Sequence, residues 1–205
     1  MSWKTRTSQA TAELLWETGA VLVNFEEPFH LRSGMTSPLY LDCRRLPSLP
    51  TAFKQVCAML HELIERNTPA IMSPLCIMGV ESSGIPFATA VAMSNHWPLC
   101  YVRKQAKDHG TRRLVEGIPT NQCALVDDVL TTGFTVAPAL AMLKDVGINV
   151  FAVAVVVDRR IRPTNEWQLK SLTTLAAIIE HAPSHQAELW KWVEQEQKAP
   201  QPCRK

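Results

Sequence analysis

The chain has 205 residues, 46% hydrophobic and 20% charged, with a formal net charge of +2. That composition supports a packed core and excludes a disordered chain. The small net charge excludes nucleic-acid or membrane binding driven by charge alone.

Residues 7–19 predict a first helix: Ala10, Leu14 and Leu15 share one side and Gly19 supplies a stop. Short strands follow at 21–25 and 38–43, joined by the turn-rich Arg32-Ser33-Gly34 segment. A second helix spans 51–66, with Phe53, Val56, Ala58, Leu60 and Leu63 as its apolar stripe. Residues 74–80 form a continuous apolar run, as in a strand buried on both faces. Then come a helix at 84–95, a strand at 99–102 and a strand at 123–126 that ends at Asp127-Asp128. A helix at 134–146 stops at Gly147, and 149–157 is the most β-branched run in the chain. Residues 171–176 add one more segment before a terminal helix with Trp190 and Trp192, and a polar tail begins near Glu194.

Alternating strand and helix predict an α/β fold with a mainly parallel sheet covered on both faces. The expected organisation is a hood over 1–45, a core over 46–182 and a C-terminal helix and tail over 183–205, packed as one unit. The cysteines are Cys43, Cys57, Cys76, Cys100, Cys123 and Cys203; none forms a CxxC pair and most lie in apolar runs. They read as free thiols in a reducing compartment. With no signal-peptide core and no apolar run of spanning length, a soluble cytoplasmic protein is expected.

The strongest motif is Ala124-Leu125-Val126-Asp127-Asp128-Val129-Leu130-Thr131-Thr132-Gly133-Phe134-Thr135. It is an apolar strand, two carboxylates at its end, a hydroxyl-rich turn and a helix. Ligands of open α/β sheets bind outside the carboxyl ends of the strands. The turn offers backbone N–H groups at a helix start to an anion, and the acids can accept hydrogen bonds from sugar hydroxyls. Together these describe a ribose 5-phosphate site. The competing reading is that the acids and threonines only cap the next helix.

A second motif is Tyr101-Val102-Arg103-Lys104-Gln105-Ala106-Lys107-Asp108-His109-Gly110, followed by Arg112, Arg113 and Gly117. Cations on a glycine-bounded loop suit a departing pyrophosphate, although a solvated basic loop has the same composition. Weaker signals are Phe29-His30-Leu31-Arg32-Ser33-Gly34 with Ser37-Pro38-Leu39-Tyr40, the pair Asp158-Arg159, and Gly79-Val80-Glu81-Ser82-Ser83-Gly84. Arginine suits bidentate carboxylate recognition; the plainer alternative for Arg159 is a surface salt bridge. His61 and His181 read as surface residues of helices. No cysteine or histidine spacing suggests zinc, and no nucleophile elbow is present.

These motifs resemble those of type I phosphoribosyltransferases. The 103–110 loop and the hood are most similar to orotate phosphoribosyltransferases, and the likeness runs from about residue 7 to 177. The resemblance implies transfer of phosphoribose from phosphoribosyl pyrophosphate (PRPP) to orotate, giving orotidine 5′-phosphate and pyrophosphate for pyrimidine biosynthesis. It implies Lys107, His109, Asp127 and Asp128 as catalytic residues. It also implies that Val129, Leu130, Thr131, Thr132, Gly133, Phe134 and Thr135 hold substrate, with the 131–135 turn on the 5′-phosphate. Ser82, Ser83, Arg103 and Lys104 would hold pyrophosphate, and Arg32, Tyr40 and Arg159 would read the base. Mg²⁺ is expected mainly through substrate and water oxygens, with no protein metal ligand. A homodimer is expected, with the 104–117 loop reaching the partner's site. The sequence departs from the family pattern at Arg32, where lysine is common, at Ser82-Ser83, which carry no charge, and at Phe134, which is bulkier than usual. Two alternatives stay open: the same fold acting on another base, and a non-catalytic regulator that senses PRPP.

Overall fold

The ten residues Asn149–Asp158 form β9, the longest strand, and their apolar content fixes its place inside the sheet. Ala152, Ala154 and Val156 join one hydrophobic cluster, while Val153 and Val155 join another. Side chains alternate faces along a strand. A strand apolar at every position from 150 to 157 must therefore be covered twice, and here both faces are.

The computed structural model describes residues 1–31, 34, 36–68, 75–103, 114–163 and 167–198. The elements in chain order begin with α1 (Trp3–Glu17), β1 (Val21–Val23), β2 (Phe29–His30), β3 (Thr36–Ser37) and β4 (Leu39–Leu41). A 3-10 turn at Cys43–Ser48 leads to α2 (Pro50–Asn67), β5 (Cys76–Val80), α3 (Gly84–Ser94), β6 (Leu99–Val102) and β7 (Val115–Glu116). The rest comprises β8 (Gln122–Leu130), α4 (Val136–Asp145), β9, β10 (Leu169–Thr174), α5 (Leu175–Glu180) and α6 (Gln186–Lys198).

The main sheet has the order β10-β9-β8-β5-β6-β7. All its neighbours run parallel except β7, which pairs antiparallel with β6. This is an α/β architecture with helices against a mainly parallel sheet. In the hood, β1 pairs antiparallel with β4, and β2 with β3.

Several boundaries differ from those predicted. Helix α1 begins at Trp3, because Ser2 caps it by accepting from the Thr5 N–H at 3.2 Å. It packs into the core: Trp16 Nε1 donates to the Ile178 carbonyl at 2.8 Å, and Ser8 and Thr173 share a hydroxyl hydrogen bond at 3.1 Å. Strand β8 does not stop at Val126 but runs through both aspartates to Leu130, because β9 keeps pairing with it as far as Leu130↔Asp158. Cys43 belongs to the 3-10 turn, not to a strand. Helix α6 continues past Glu194 to Lys198, held by buried Leu189 and Val193; Arg162 also donates to the carbonyls of Glu196 and Gln197. The two-residue strands β2, β3 and β7 carry no periodicity that a sequence could show.

Cys43, Cys57, Cys76, Cys100 and Cys123 are buried free thiols, and Cys203 lies outside the described residues. Burial alone pushes Cys57 up to about 12. It also leads the rise of Cys123 to about 12. Among the described residues no helix is long and apolar enough to cross a membrane.

The close approach of α3 to β8 sets the site's geometry. A Cβ added at Gly84 would lie 2.2 Å from the Val126 carbonyl oxygen and 3.1 Å from the Asp127 Cα. Both are backbone atoms, so neither can rotate aside. Gly84→Ala is therefore expected to cost about 2 kcal/mol or more of stability. Urea unfolding measures it; an unchanged midpoint would show that α3 can slide away freely.

Candidate active site

Because β5, β6, β8 and β9 are mutually parallel, their carboxyl ends share one edge of the sheet. That edge gathers most of the described motif residues. Asp127 and Asp128 lie near the end of β8, Glu81-Ser82-Ser83 follows β5, Arg103 follows β6, and Arg159 follows β9. The backbone ties them together: Arg159 N–H donates to the Leu130 carbonyl at 2.9 Å, and Glu81 N–H to the Val102 carbonyl at 2.9 Å.

The two acids do not cap α4. Asp127 Oδ1 accepts from the Asp128 N–H at 2.9 Å, and Asp128 Oδ1 from the Val129 N–H at 2.8 Å. Asp127 is only 8% exposed. Burial pushes the Asp128 carboxyl above the usual carboxylate value, although hydrogen bonds from the backbone and the nearby Arg44 guanidinium pull the other way. Arg44 has its own anchors, with Nε donating to Asp42 at 2.6 Å and Nη2 to the Tyr40 hydroxyl at 3.1 Å.

Two helices start at this edge, and neither start is capped by its side chain. Ser83 before α3 and Thr135 before α4 make no capping hydrogen bond. Elsewhere in the chain Ser2 and Thr174 do cap α1 and α5. A helix start without a side-chain cap keeps N–H donors for another acceptor, and an anion is the natural one. The intervening turn bends at Gly133, whose φ of +78° suits glycine. Phe134 beside it is 72% exposed, so its bulk is turned toward solvent and not into the core.

Arg103 lies between two carboxylates, Glu81 and Glu116, each 3.5 Å away. Its Nε is buried without a hydrogen-bond partner. Arg32, Lys104, Lys107 and His109 lie outside the described residues.

Arg159 is 8% exposed, which rules out the surface salt bridge as its role. Asp158 pairs instead with Arg160 at 2.8 Å, and both of those side chains are themselves largely buried. Arg159 Nη2 donates to Ser37 Oγ at 2.7 Å and to the Leu39 carbonyl at 3.1 Å, joining the sheet edge to the hood. Its guanidinium also lies 5.9 Å from the centre of the Trp192 ring. Burial lowers its pKa from the ordinary arginine value. Tyr40 sits close by in β4, 5.5 Å ring to ring from Phe29. Sequence reasoning missed Arg44 and Trp192. The only signal for Arg44 was its place two residues after Asp42; Trp192 gave none.

Because Asp128 holds its proton more tightly folded than unfolded, its contribution to stability declines as pH rises from its ordinary 3.8 through the folded value. Asp128→Asn removes that loss. At pH 7 the variant is expected to melt above the wild type, with the gain shrinking as pH falls toward 3.8. Thermal melts across that range check it; a lower melting temperature at pH 7 would mean that the ionised form is favoured where it stands.

Residues 48–179 match the model of the phosphoribosyl transferase domain. The chain is 40% identical over 126 residues to an orotate phosphoribosyltransferase of Rhizobium rhizogenes, covering 61% of this chain and 54% of that protein. It thus spans about half the length of that relative. The solved orotate phosphoribosyltransferase of Aeropyrum pernix is 34% identical with a TM-score of 0.69, over 82% of this chain and 96% of that one. That of Mycobacterium tuberculosis H37Rv in complex with PRPP is 25% identical with a TM-score of 0.59, over 84% and 98%. A matched domain over most of the chain, and a structural relative covered almost end to end, carry one conclusion: the chain belongs to the phosphoribosyltransferase family, among its orotate phosphoribosyltransferases.

Proposed function

We propose that this protein transfers phosphoribose from PRPP to N1 of orotate, releasing pyrophosphate and forming orotidine 5′-phosphate in pyrimidine biosynthesis. The observation that carries the reading is the sheet edge itself: two adjacent carboxylates, two helix starts without side-chain caps and a buried arginine lie near the carboxyl ends of neighbouring strands. Support also comes from the PRPP-bound relative, which shares the fold.

The chemistry asks for positioning and charge stabilisation more than for covalent help. Orotate is already an anion, and the anomeric C–O bond breaks through an oxocarbenium-like state. Asp127 and Asp128 would accept the ribose hydroxyls, fixing the sugar and balancing its growing positive charge. The 131–135 turn would hold the 5′-phosphate. Ser82, Ser83, Arg103 and Lys104 would hold the pyrophosphate, and Lys107 and His109 would neutralise it as it leaves. Arg159 already spends Nη2 on the hood; the guanidinium's further donors would meet the orotate carboxylate, beside Tyr40 and Arg32.

The donor set suits a hard cation: carboxylate and hydroxyl oxygens, with no metal-holding trio of histidine, cysteine or acid among the described residues. Mg²⁺ would sit mainly on substrate and water oxygens, where it would supply charge neutralisation for the pyrophosphate. The working form would be a homodimer, with the 104–117 loop reaching the partner's site. Buried free thiols suit a reducing cytoplasm.

Incubating the protein with PRPP, Mg²⁺ and single bases, and following pyrophosphate release, tests the assignment. Orotate is expected to react, and uracil, adenine and hypoxanthine are not. Release with a purine, or none with orotate, would overturn it. In the same assay Lys107→Ala is expected to lower kcat by roughly 10²–10³-fold, and near-normal turnover would remove the loop from the mechanism. Arg159→Ala is expected to raise the orotate KM by roughly 10- to 100-fold, with a smaller change for PRPP. An unchanged orotate KM would mean that the base is read elsewhere.

A further inference from the structure

Trp167 is remote in sequence from the 131–135 turn, yet its indole lies directly against it. A Cβ built on Gly133 would fall 2.1 Å from Trp167 Cη2, 2.7 Å from Cζ3 and 3.1 Å from Cζ2. The indole edge thus occupies the space that any side chain at 133 would need. Trp167 is half-buried and packs on the hydrophobic cluster that contains Leu130 and Val136, the residues flanking the turn. The turn is therefore laid on an aromatic floor, while Thr131, Thr132 and Phe134 face outward, exposed.

The backbone at this point is also constrained. Trp167 and Gln168 take φ values of +60° and +47°, a region that side-chain-bearing residues rarely occupy. Such conformations persist only where the surroundings over-determine them. Here they allow the chain to deliver the indole to Gly133 immediately before β10 begins at Leu169.

We infer that Trp167 is a positioning residue for the sugar-phosphate subsite: it fixes the 131–135 turn so that its N–H groups converge before an anion arrives. Trp167 makes no substrate contact in this scheme. Donors already in place bind an anion without the cost of ordering the loop. Removing the floor loosens Gly133 and charges that cost to the phosphate end of the ligand, leaving the base end untouched. The inference deepens the proposed function and rests on its assignment of the turn to the 5′-phosphate, but not on the identity of the base.

The test uses ribose 5-phosphate, which lacks both base and pyrophosphate. Trp167→Ala is expected to weaken its binding, and to raise the KM for PRPP, by roughly 10- to 100-fold, with the orotate KM shifting less than about twofold. Trp167→Phe, which keeps a planar ring, is expected to recover most of the affinity; this ordering separates positioning from general destabilisation. Titrating ribose 5-phosphate into wild type and Trp167→Phe, and subtracting the emission changes, isolates the signal of one indole among six tryptophans. A change present in wild type and absent in the variant is expected. If Trp167→Ala does not fold, the phenylalanine variant still decides the matter. Weakened sugar-phosphate binding supports the inference whether or not orotate turns over. Wild-type affinity in a folded Trp167→Ala, or loss of most of the affinity in Trp167→Phe, overturns it even if orotate turns over normally.

Discussion

Two adjacent carboxylates set into a strand among valines and leucines are costly to bury, and the residues at that end of the strand offset part of the cost. Strand β8 could have ended before Asp127. It continues because β9 still pairs with it, so the acids are held by a backbone ladder and not by a loose turn. Their oxygens accept local N–H groups, and Arg44 lowers the cost of the Asp128 charge. Even so, burial wins and the Asp128 pKa rises. A fold selected for stability alone would place an apolar residue there. The retained acid is what the proposed sugar site would require.

A second polar group, with the opposite charge, is buried at the same edge of the sheet. Arg159 is as enclosed as Asp127, and it compensates by donating to Ser37 and to the Leu39 carbonyl. Breaking such an arrangement leaves a charge without partners, so the hood is locked to the sheet edge through one guanidinium. Trp192 from α6 lies over the same group. The N-terminal hood, the end of β9 and the C-terminal helix meet at one side chain.

Much of this was legible in the sequence, and the rest was not, for a physical reason. Runs such as 150–157 declare a buried strand because every position must be apolar when both faces are covered. Asp127-Asp128 and the Thr131-Thr132-Gly133 turn declare themselves because no capping scheme needs so many polar groups after an apolar run. The end of β8 was misplaced because a carboxylate is a poor strand former on local propensity; only the partner strand, distant in sequence, keeps it paired. The start of α1 was misplaced because a single serine cap was outweighed by the polar residues after it. The link from Arg159 to Ser37 spans 122 positions, and the contact of Trp167 with Gly133 likewise depends on β10 lying beside β9. Such contacts are products of topology, and no local spacing encodes them.

The supports of this sheet edge are divided in a way that bears on its chemistry. The turn that would take the phosphoryl end rests on one hydrophobic cluster, through Leu130, Val136 and Trp167. The arginine that would take the base hangs from the hood, whose Leu39 and Leu41 belong to the other cluster. Between them stand the acids, fixed by the sheet itself and pressed by Gly84 of α3. The two ends of a substrate would thus be held by separate bodies of packing, with the bond to be broken over the most rigid part. A reaction that exchanges one leaving group for another at a single carbon needs that kind of independence: the sugar stays where it is while its partners change.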